Sequence, residues 1–173
     1  MAKKKLTLPP QKTRTAFILV GPPGSGKSTF RKDLIAGHHN EEITAISSDD
    51  ILEIIAIAQV QTYNEVFKAN YKKAEKTMYE FLGAAIEMNR DIVVDKTNMT
   101  AKSRKKILTK IPANYEKIAV VVKRPEDEDL WWHRLANRPG KNIPNDDILK
   151  MLESYEPPTK DEGFDVIMEV QST

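Results

Sequence analysis

Gly21-Pro22-Pro23-Gly24-Ser25-Gly26-Lys27-Ser28, with Thr29 next, directly follows the apolar run Thr15-Ala-Phe-Ile-Leu-Val20. The eight residues fit Gly-x4-Gly-Lys-Ser/Thr, a pattern whose backbone geometry makes a phosphate cradle. Glycine lets the chain turn tightly enough for successive N–H groups to point at phosphate oxygens. The helix that follows adds its positive end. In this geometry Lys27 reaches the terminal phosphates and the Ser28 hydroxyl sits on Mg²⁺. The flanks have the required order: a β-rich run before the loop, Phe30-Arg-Lys-Asp-Leu-Ile-Ala36 after it, and Gly37 as a helix stop.

Outward from this loop, strand and helix patterns alternate. Ile43–Ile46 reads as a second strand that ends in Ser47-Ser-Asp-Asp50, with Ser48 or Asp49 as a cap for a helix over 51–58. A long helix over 65–89 places Phe67, Tyr71, Ala74, Met78, Phe81 or Leu82, and Ala85 on one face. Ile92–Val94 and Ile118–Val122 are uninterrupted apolar runs, as expected of strands buried on both faces of a parallel sheet. Helices are expected over 101–111, 126–137 and 146–155, the second with four acids in its first turn, and a fifth strand over 166–170. The reading is a three-layer α/β/α domain over 15–173 with a mainly parallel five-stranded sheet. Residues 1–14 are expected to be a basic tail, flexible or loosely docked.

Composition limits the chemistry. With no cysteine among 173 residues, disulfides, thiolate metal sites and cysteine nucleophiles are excluded. No apolar run approaches the ~18–20 residues of a membrane span, and no leader pattern follows Lys3-Lys-Lys5, so a cytoplasmic protein without membrane partners is expected. The net charge of +2 hides a separation. Lys102, Arg104, Lys105, Lys106, Lys110, Lys117, Lys123 and Arg124 face Glu116 alone across 102–124, a local charge of +7, while five bases face twelve acids from 125 onward, a charge of −7. A basic face of this kind can hold a polyanion or can simply be a solvated surface.

Ligands of such a sheet bind beyond the carboxyl ends of its strands. The phosphate loop, Asp49-Asp50 and Asp95 all fall there. Asp95 occupies the place of a strand-end acid that helps hold Mg²⁺, and Lys96-Thr97-Asn98 adds polar groups to the same rim, with a helix cap as the alternative role of Thr97 or Asn98. One of Asp49 and Asp50 can accept a hydroxyl proton or can cap a helix. Arg134 and Arg138, four apart, are expected on one helix face, where they can close over phosphates or make surface ion pairs. His38-His39 and His133 form no metal-binding spacing, and Trp131-Trp132 reads as core.

Gly21–Thr29, Ser48-Asp49-Asp50, Asp95-x-Thr97-Asn98, Arg134-x3-Arg138, Ile143-Pro144 and Glu156-x-Pro158-x4-Gly163-Phe164 together resemble the kinase domain of polynucleotide 5′-hydroxyl kinases. The resemblance runs from about 15 to 170 and implies the P-loop kinase fold, three-layer α/β/α with a helical lid. It implies transfer of the ATP γ-phosphate, with Mg²⁺ as cofactor, to the 5′-hydroxyl end of RNA or DNA. It also implies Asp49 as the general base, Arg134 and Arg138 on the phosphates, and Asp49, Asp95, Thr97 and Asn98 toward the acceptor. One departure concerns the acceptor: where the phage member has a phosphate-contacting arginine three residues after the base, this chain has Leu52. A nucleoside or nucleotide kinase, a kinase of hydroxymethylated DNA bases, and a noncatalytic ATP-dependent RNA- or DNA-binding module are the competing expectations. RNA against DNA, ATP against GTP, and oligomeric state stay open.

Overall fold

A computed structural model describes residues 11–37 and 43–171. Most of the basic tail and the His38-His39 pair lie outside these residues. In chain order the elements are β1 (Arg14–Val20), α1 (Lys27–Gly37), β2 (Ile43–Ile46), α2 (Ser48–Gln59), α3 (Tyr63–Glu87), β3 (Asp91–Val94), α4 (Ala101–Leu108), β4 (Tyr115–Lys123), α5 (Glu128–Ala136), α6 (Asn145–Glu153), a 3₁₀ turn at Lys160–Glu162 and β5 (Val166–Gln171). The strands form one sheet in the order β2-β3-β1-β4-β5, and every pairing is parallel. The fold is therefore three-layered α/β/α around a five-stranded parallel sheet.

Strand alternation builds the two outer layers. Ala16 and Ile18 of β1 face Met78, Leu82 and Ala85 of α3 and Ile107 and Leu108 of α4. Phe17 and Leu19 turn to the opposite side, against Phe30 and Leu34 of α1. α2 packs on α3 through Leu52, Ala56, Val66 and Ala74. α5 and α6, the segment expected as a lid, share a separate cluster of Trp131, Leu135 and Ile148. Trp131 is thus a packing residue, as its sequence context suggests.

Several local expectations are corrected. The cap of α2 is Ser47, whose Oγ accepts from the Asp50 N–H at 3.2 Å; neither Ser48 nor Asp49 caps it. α3 begins two residues early because Thr62 and Glu65 form a reciprocal capping box. Val66, not Phe67, faces the core, and Phe67, Tyr71 and Phe81 are exposed. Asp127 caps α5, so only Glu128 and Asp129 lie in its first turn, and Arg138 falls beyond its last residue. Arg14 opens β1, and Lys12 Nζ donates to the Tyr115 carbonyl at 2.8 Å and to Asp165 at 3.1 Å, which ties the end of the basic segment to the sheet.

Candidate active site

The phosphate loop leaves β1 at Val20 and becomes α1 at Lys27. Gly24 has φ +75°, and a Cβ there would crowd Leu135 and the Trp131 indole at 3.1 Å. The close approach is purposeful, because Trp131 Nε1 donates to the Pro23 carbonyl at 2.9 Å and braces the loop from α5. At Gly21 a Cβ would strike the Val122 carbonyl oxygen of β4. From the other side the Gly21 N–H donates to the Thr97 carbonyl at 2.9 Å. α5, β4 and the segment after β3 therefore hold the loop's shape. The Ser25 hydroxyl is buried without a protein partner, and the loop's donors with Lys27, Arg134 and Arg138 make a cationic set that fits a polyphosphate.

Lys27 Nζ donates to the carbonyls of Gly21 and Pro22 at 2.8 and 2.7 Å. Burial lowers its pKa to about 8; the Asp95 charge opposes this shift and the Arg138 charge adds to it. A bound polyphosphate favours the ammonium form. In the free protein Lys27 is half neutral near pH 8, so binding takes up a proton above that pH. Affinity for a nucleoside triphosphate is therefore expected to fall as pH rises from 8 to 10, by up to about tenfold per unit. Calorimetric titrations in two buffers of different ionisation heat measure the uptake directly. A pH-independent affinity with no proton uptake would remove Lys27 from this linkage.

Ser28 Oγ donates to Asp95 Oδ2 at 3.1 Å, and Arg31 Nη1 lies 2.8 Å from Asp50 and 3.4 Å from Asp95. Burial pushes the Asp95 carboxyl upward, with Lys27, Arg31 and the Ser28 hydroxyl pulling the other way. The Ser28 hydroxyl and Asp95 carboxylate are a pair of oxygen donors of the kind Mg²⁺ takes. Arg31 was not expected from the sequence, although its position four residues after Lys27 places it on the same side of α1.

Because Ser47 serves as the α2 cap, the Asp49 carboxylate is left for other partners. Tyr63 Oη donates to Asp49 Oδ1 at 2.9 Å, and Lys141 Nζ approaches Oδ2 at 3.4 Å while also pairing with Glu53. Burial raises the Tyr63 phenol well above its ordinary value, and the Asp49 charge and hydrogen bond add to the shift. The phenol therefore stays a donor to Asp49 throughout the physiological range. Tyr63 and Lys141 had no local signal: they stand 14 and 92 residues from Asp49.

One cleft of about 1330 Å³ contains Lys27, Ser28, Asp49, Asp95, Thr97, Arg134, Arg138 and Lys141 in its walls. That exceeds the ~300–1,000 Å³ usual for a single small ligand and leaves room for two reactants. Asn98 is a correction. Its side chain is 2% exposed and donates to the Leu19 carbonyl at 2.8 Å, so it ties β1 to the loop after β3 and presents nothing to the cleft. Leu52 is also displaced from the acceptor side, fully buried between α2 and α3.

The AAA domain family model matches residues 17–158, and the chain belongs to that family. A chain of the Pnkp1/Rnl/Hen1 RNA repair complex is similar at TM-score 0.63 and 23% identity, covering 88% of this chain and 46% of that one. This chain thus spans less than half of that relative. A fungal RNA kinase aligns at TM-score 0.55 and 17% identity, over 95% of this chain and 76% of the other. Shikimate kinase from Acinetobacter baumannii, in complex with shikimate, aligns at 0.54 and 18%, over 94% and 87%. At these identities the likeness is one of fold. No helix among the described residues is long and apolar enough to cross a membrane.

Proposed function

We propose that this chain is an ATP-dependent kinase that transfers the γ-phosphate to a hydroxyl of nucleic acid, the 5′-hydroxyl end of RNA or DNA. The observation that carries the reading is the shared cleft: an uncapped carboxylate, Asp49, faces the same space as the phosphate loop and the two arginines. A nucleotide-binding loop alone needs no such partner. Similarity to chains of RNA repair and of an RNA kinase supports the choice of acceptor, and so do the exposed lysines of α4.

In this reading the loop amides and Lys27 hold the β- and γ-phosphates, and Arg134 and Arg138 neutralise charge that builds on the transferring group. Ser28 and Asp95 would hold Mg²⁺, which would supply further charge neutralisation. Asp49 accepts the proton of the attacking hydroxyl as its oxygen bonds to phosphorus and ADP departs. Tyr63 and Lys141 orient the carboxylate, and Arg31 positions Asp95.

Labelled ATP offered with 5′-hydroxyl RNA, 5′-hydroxyl DNA, nucleosides and small alcohols tests the reading. Label is expected at oligonucleotide 5′ ends, with acceptors needing at least one phosphate on their 3′ side. Label on monomers alone would make the protein a small-molecule kinase, and label on modified bases within intact duplex would make it a base kinase. ATP-sensitive oligonucleotide binding without any transfer would make it a binding module.

A further inference from the structure

Along α3, Tyr63, Phe67 and Tyr71 recur every fourth residue, with successive ring centroids 5.7 and 5.3 Å apart. Tyr63 packs in part against the cluster between α2 and α3, but core packing does not account for Phe67 and Tyr71. Phe67 and Tyr71 are each 40% exposed, whereas Val66, Ala74, Met78 and Leu82 carry the burial of the same helix. An i,i+4 aromatic pair adds little to a helix's stability, a small return for two solvent-facing rings. All three rings line the cleft that contains Asp49, and Tyr63 touches that carboxylate. Two turns beyond Tyr71, Tyr79 packs in part on the core and borders a second depression.

Cations accompany the rings. Lys141 lies 4.5 Å over the Tyr63 ring, and Lys110 lies 5.1 Å over Tyr79. Lys96 is 6.0 Å from Tyr79 and neutralises Glu75, the acid that occupies the stripe between Tyr71 and Tyr79. Lys106 of α4 is exposed and close enough to act electrostatically on both Tyr71 and Glu75. The basic 102–124 stretch is sorted by the fold. Arg104 is buried, Lys123 and Arg124 pair with Glu169 and Glu128, and the exposed lysines of the α4 region remain, two of them beside the rings.

From this juxtaposition we infer that the α3 stripe Tyr63–Phe67–Tyr71–Tyr79, with Lys106 and Lys110 at its side, is a track for a single-stranded nucleic acid whose 5′ end lies at Asp49. Rings stack on bases whatever their sequence, and the lysines follow the phosphates. From Tyr63 to Tyr79 the helix rises about 24 Å, room for a segment on the order of four nucleotides. Charge complementarity and continuity with the acceptor carboxylate favour a polyanionic strand over a protein partner. The inference rests on the acceptor proposed above.

The test is fluorescence anisotropy with single-stranded 5′-hydroxyl oligonucleotides from about two to about twelve nucleotides, run beside label transfer to the same series. Affinity is expected to increase with length. Phe67→Ala/Tyr71→Ala should cut the long-to-short affinity ratio by about tenfold or more. Lys106→Glu/Lys110→Glu, which leaves the rings in place and guards against a folding artefact, should lower the slope of log affinity against log salt by about 1.4. Length-independent binding, or an unchanged ratio and slope in both variants, overturns the track. So does a change in oligomeric state of the ring variant with oligonucleotide affinity intact, since the face would then belong to a second copy. Length-dependent binding lost in the variants without any label transfer by the wild type would uphold the track and sink the kinase reading. Transfer to short acceptors with no gain from length would do the reverse.

Discussion

Asp49→Asn is expected to lower kcat for phosphoryl transfer by about 10²–10⁴-fold while nucleotide affinity stays within a factor of about two. Asparagine keeps the shape and still accepts the Tyr63 hydroxyl, but its amide takes no proton. The substitution sits on a half-exposed side chain that makes no cap, so the fold is not at risk. The loop amides, Lys27 and both arginines are untouched, which is why donor binding is preserved. Single-turnover transfer measured beside equilibrium nucleotide binding separates the two quantities. An equal loss of both would mean that Asp49 serves the donor and would remove it as the base. Asp50→Asn is the internal comparison: Asp50 is paired to Arg31, so a smaller effect through Arg31 and Asp95 is expected.

The second large effect concerns stability. Arg104 is fully buried, and its guanidinium forks onto Glu162 at 2.7 and 2.8 Å. The same group donates to the carbonyls of Asn98 at 3.0 Å and Glu156 at 2.8 Å. Glu156 in turn accepts the Ala101 N–H at the start of α4, and its own N–H donates to the Met99 carbonyl. One side chain thus joins the segment after β3, the start of α4 and the chain that enters β5. Arg104→Met leaves a carboxylate and two carbonyls without this donor. A cost of about 3–5 kcal/mol is expected, or roughly 6–20 °C in Tm. Arg104→Met/Glu162→Leu should recover part of it, because removing both charges leaves no unpaired one. Urea unfolding of the three proteins decides the matter, and a single variant within about 1 kcal/mol of wild type would refute the clamp.

The clamp also has a pH signature. Burial pushes Glu162 upward, but the Arg104 hydrogen bonds and charge and the Thr159 N–H overcome this and hold its pKa below the ordinary 4.5. A carboxyl with a lowered folded pKa contributes stability that is present above pH 4.5 and lost as pH falls through the folded value. Wild type should therefore lose stability below pH 4.5 more steeply than the double variant.

The clamp explains a pattern visible in the sequence. Asp95-x-Thr97-Asn98 and Glu156-x-Pro158-x4-Gly163-Phe164 read there as pieces of a functional signature. Much of their content is scaffolding: Asn98 pins Leu19, Glu156 and Glu162 bind the neighbourhood of Arg104, and Phe164 lies in the core. Asp95, Lys96 and Thr97 of the first segment line the cleft, and Asn98 does not. Spacing cannot separate the two roles, because a strand-end side chain turns toward ligand or core according to the loop's dihedrals. At Asn98 φ is +47°, a left-handed turn that aims the amide inward.

The α3 face shows the same limit. A three-four repeat locates a helix, but Val66 and Phe67 differ by about 100° of rotation. Which of them meets the core depends on how α2 lies across α3. Leu52 and Ala56 of α2 take the side occupied by Val66, and the aromatic line is left to the cleft.

The donor half of the site follows from the sequence alone. Eight contiguous residues dictate a loop of amides ahead of a helix, and Trp131 and Thr97 then brace a geometry that the local sequence already specifies. The alternation of apolar strands with helices likewise determines a parallel sheet whose carboxyl ends receive the ligand. The acceptor half is a tertiary product. Asp49, Tyr63 and Lys141 come from α2, α3 and the loop after α5, and their approach depends on how separate elements pack. Packing directions are set by the whole core, so no local stretch encodes them.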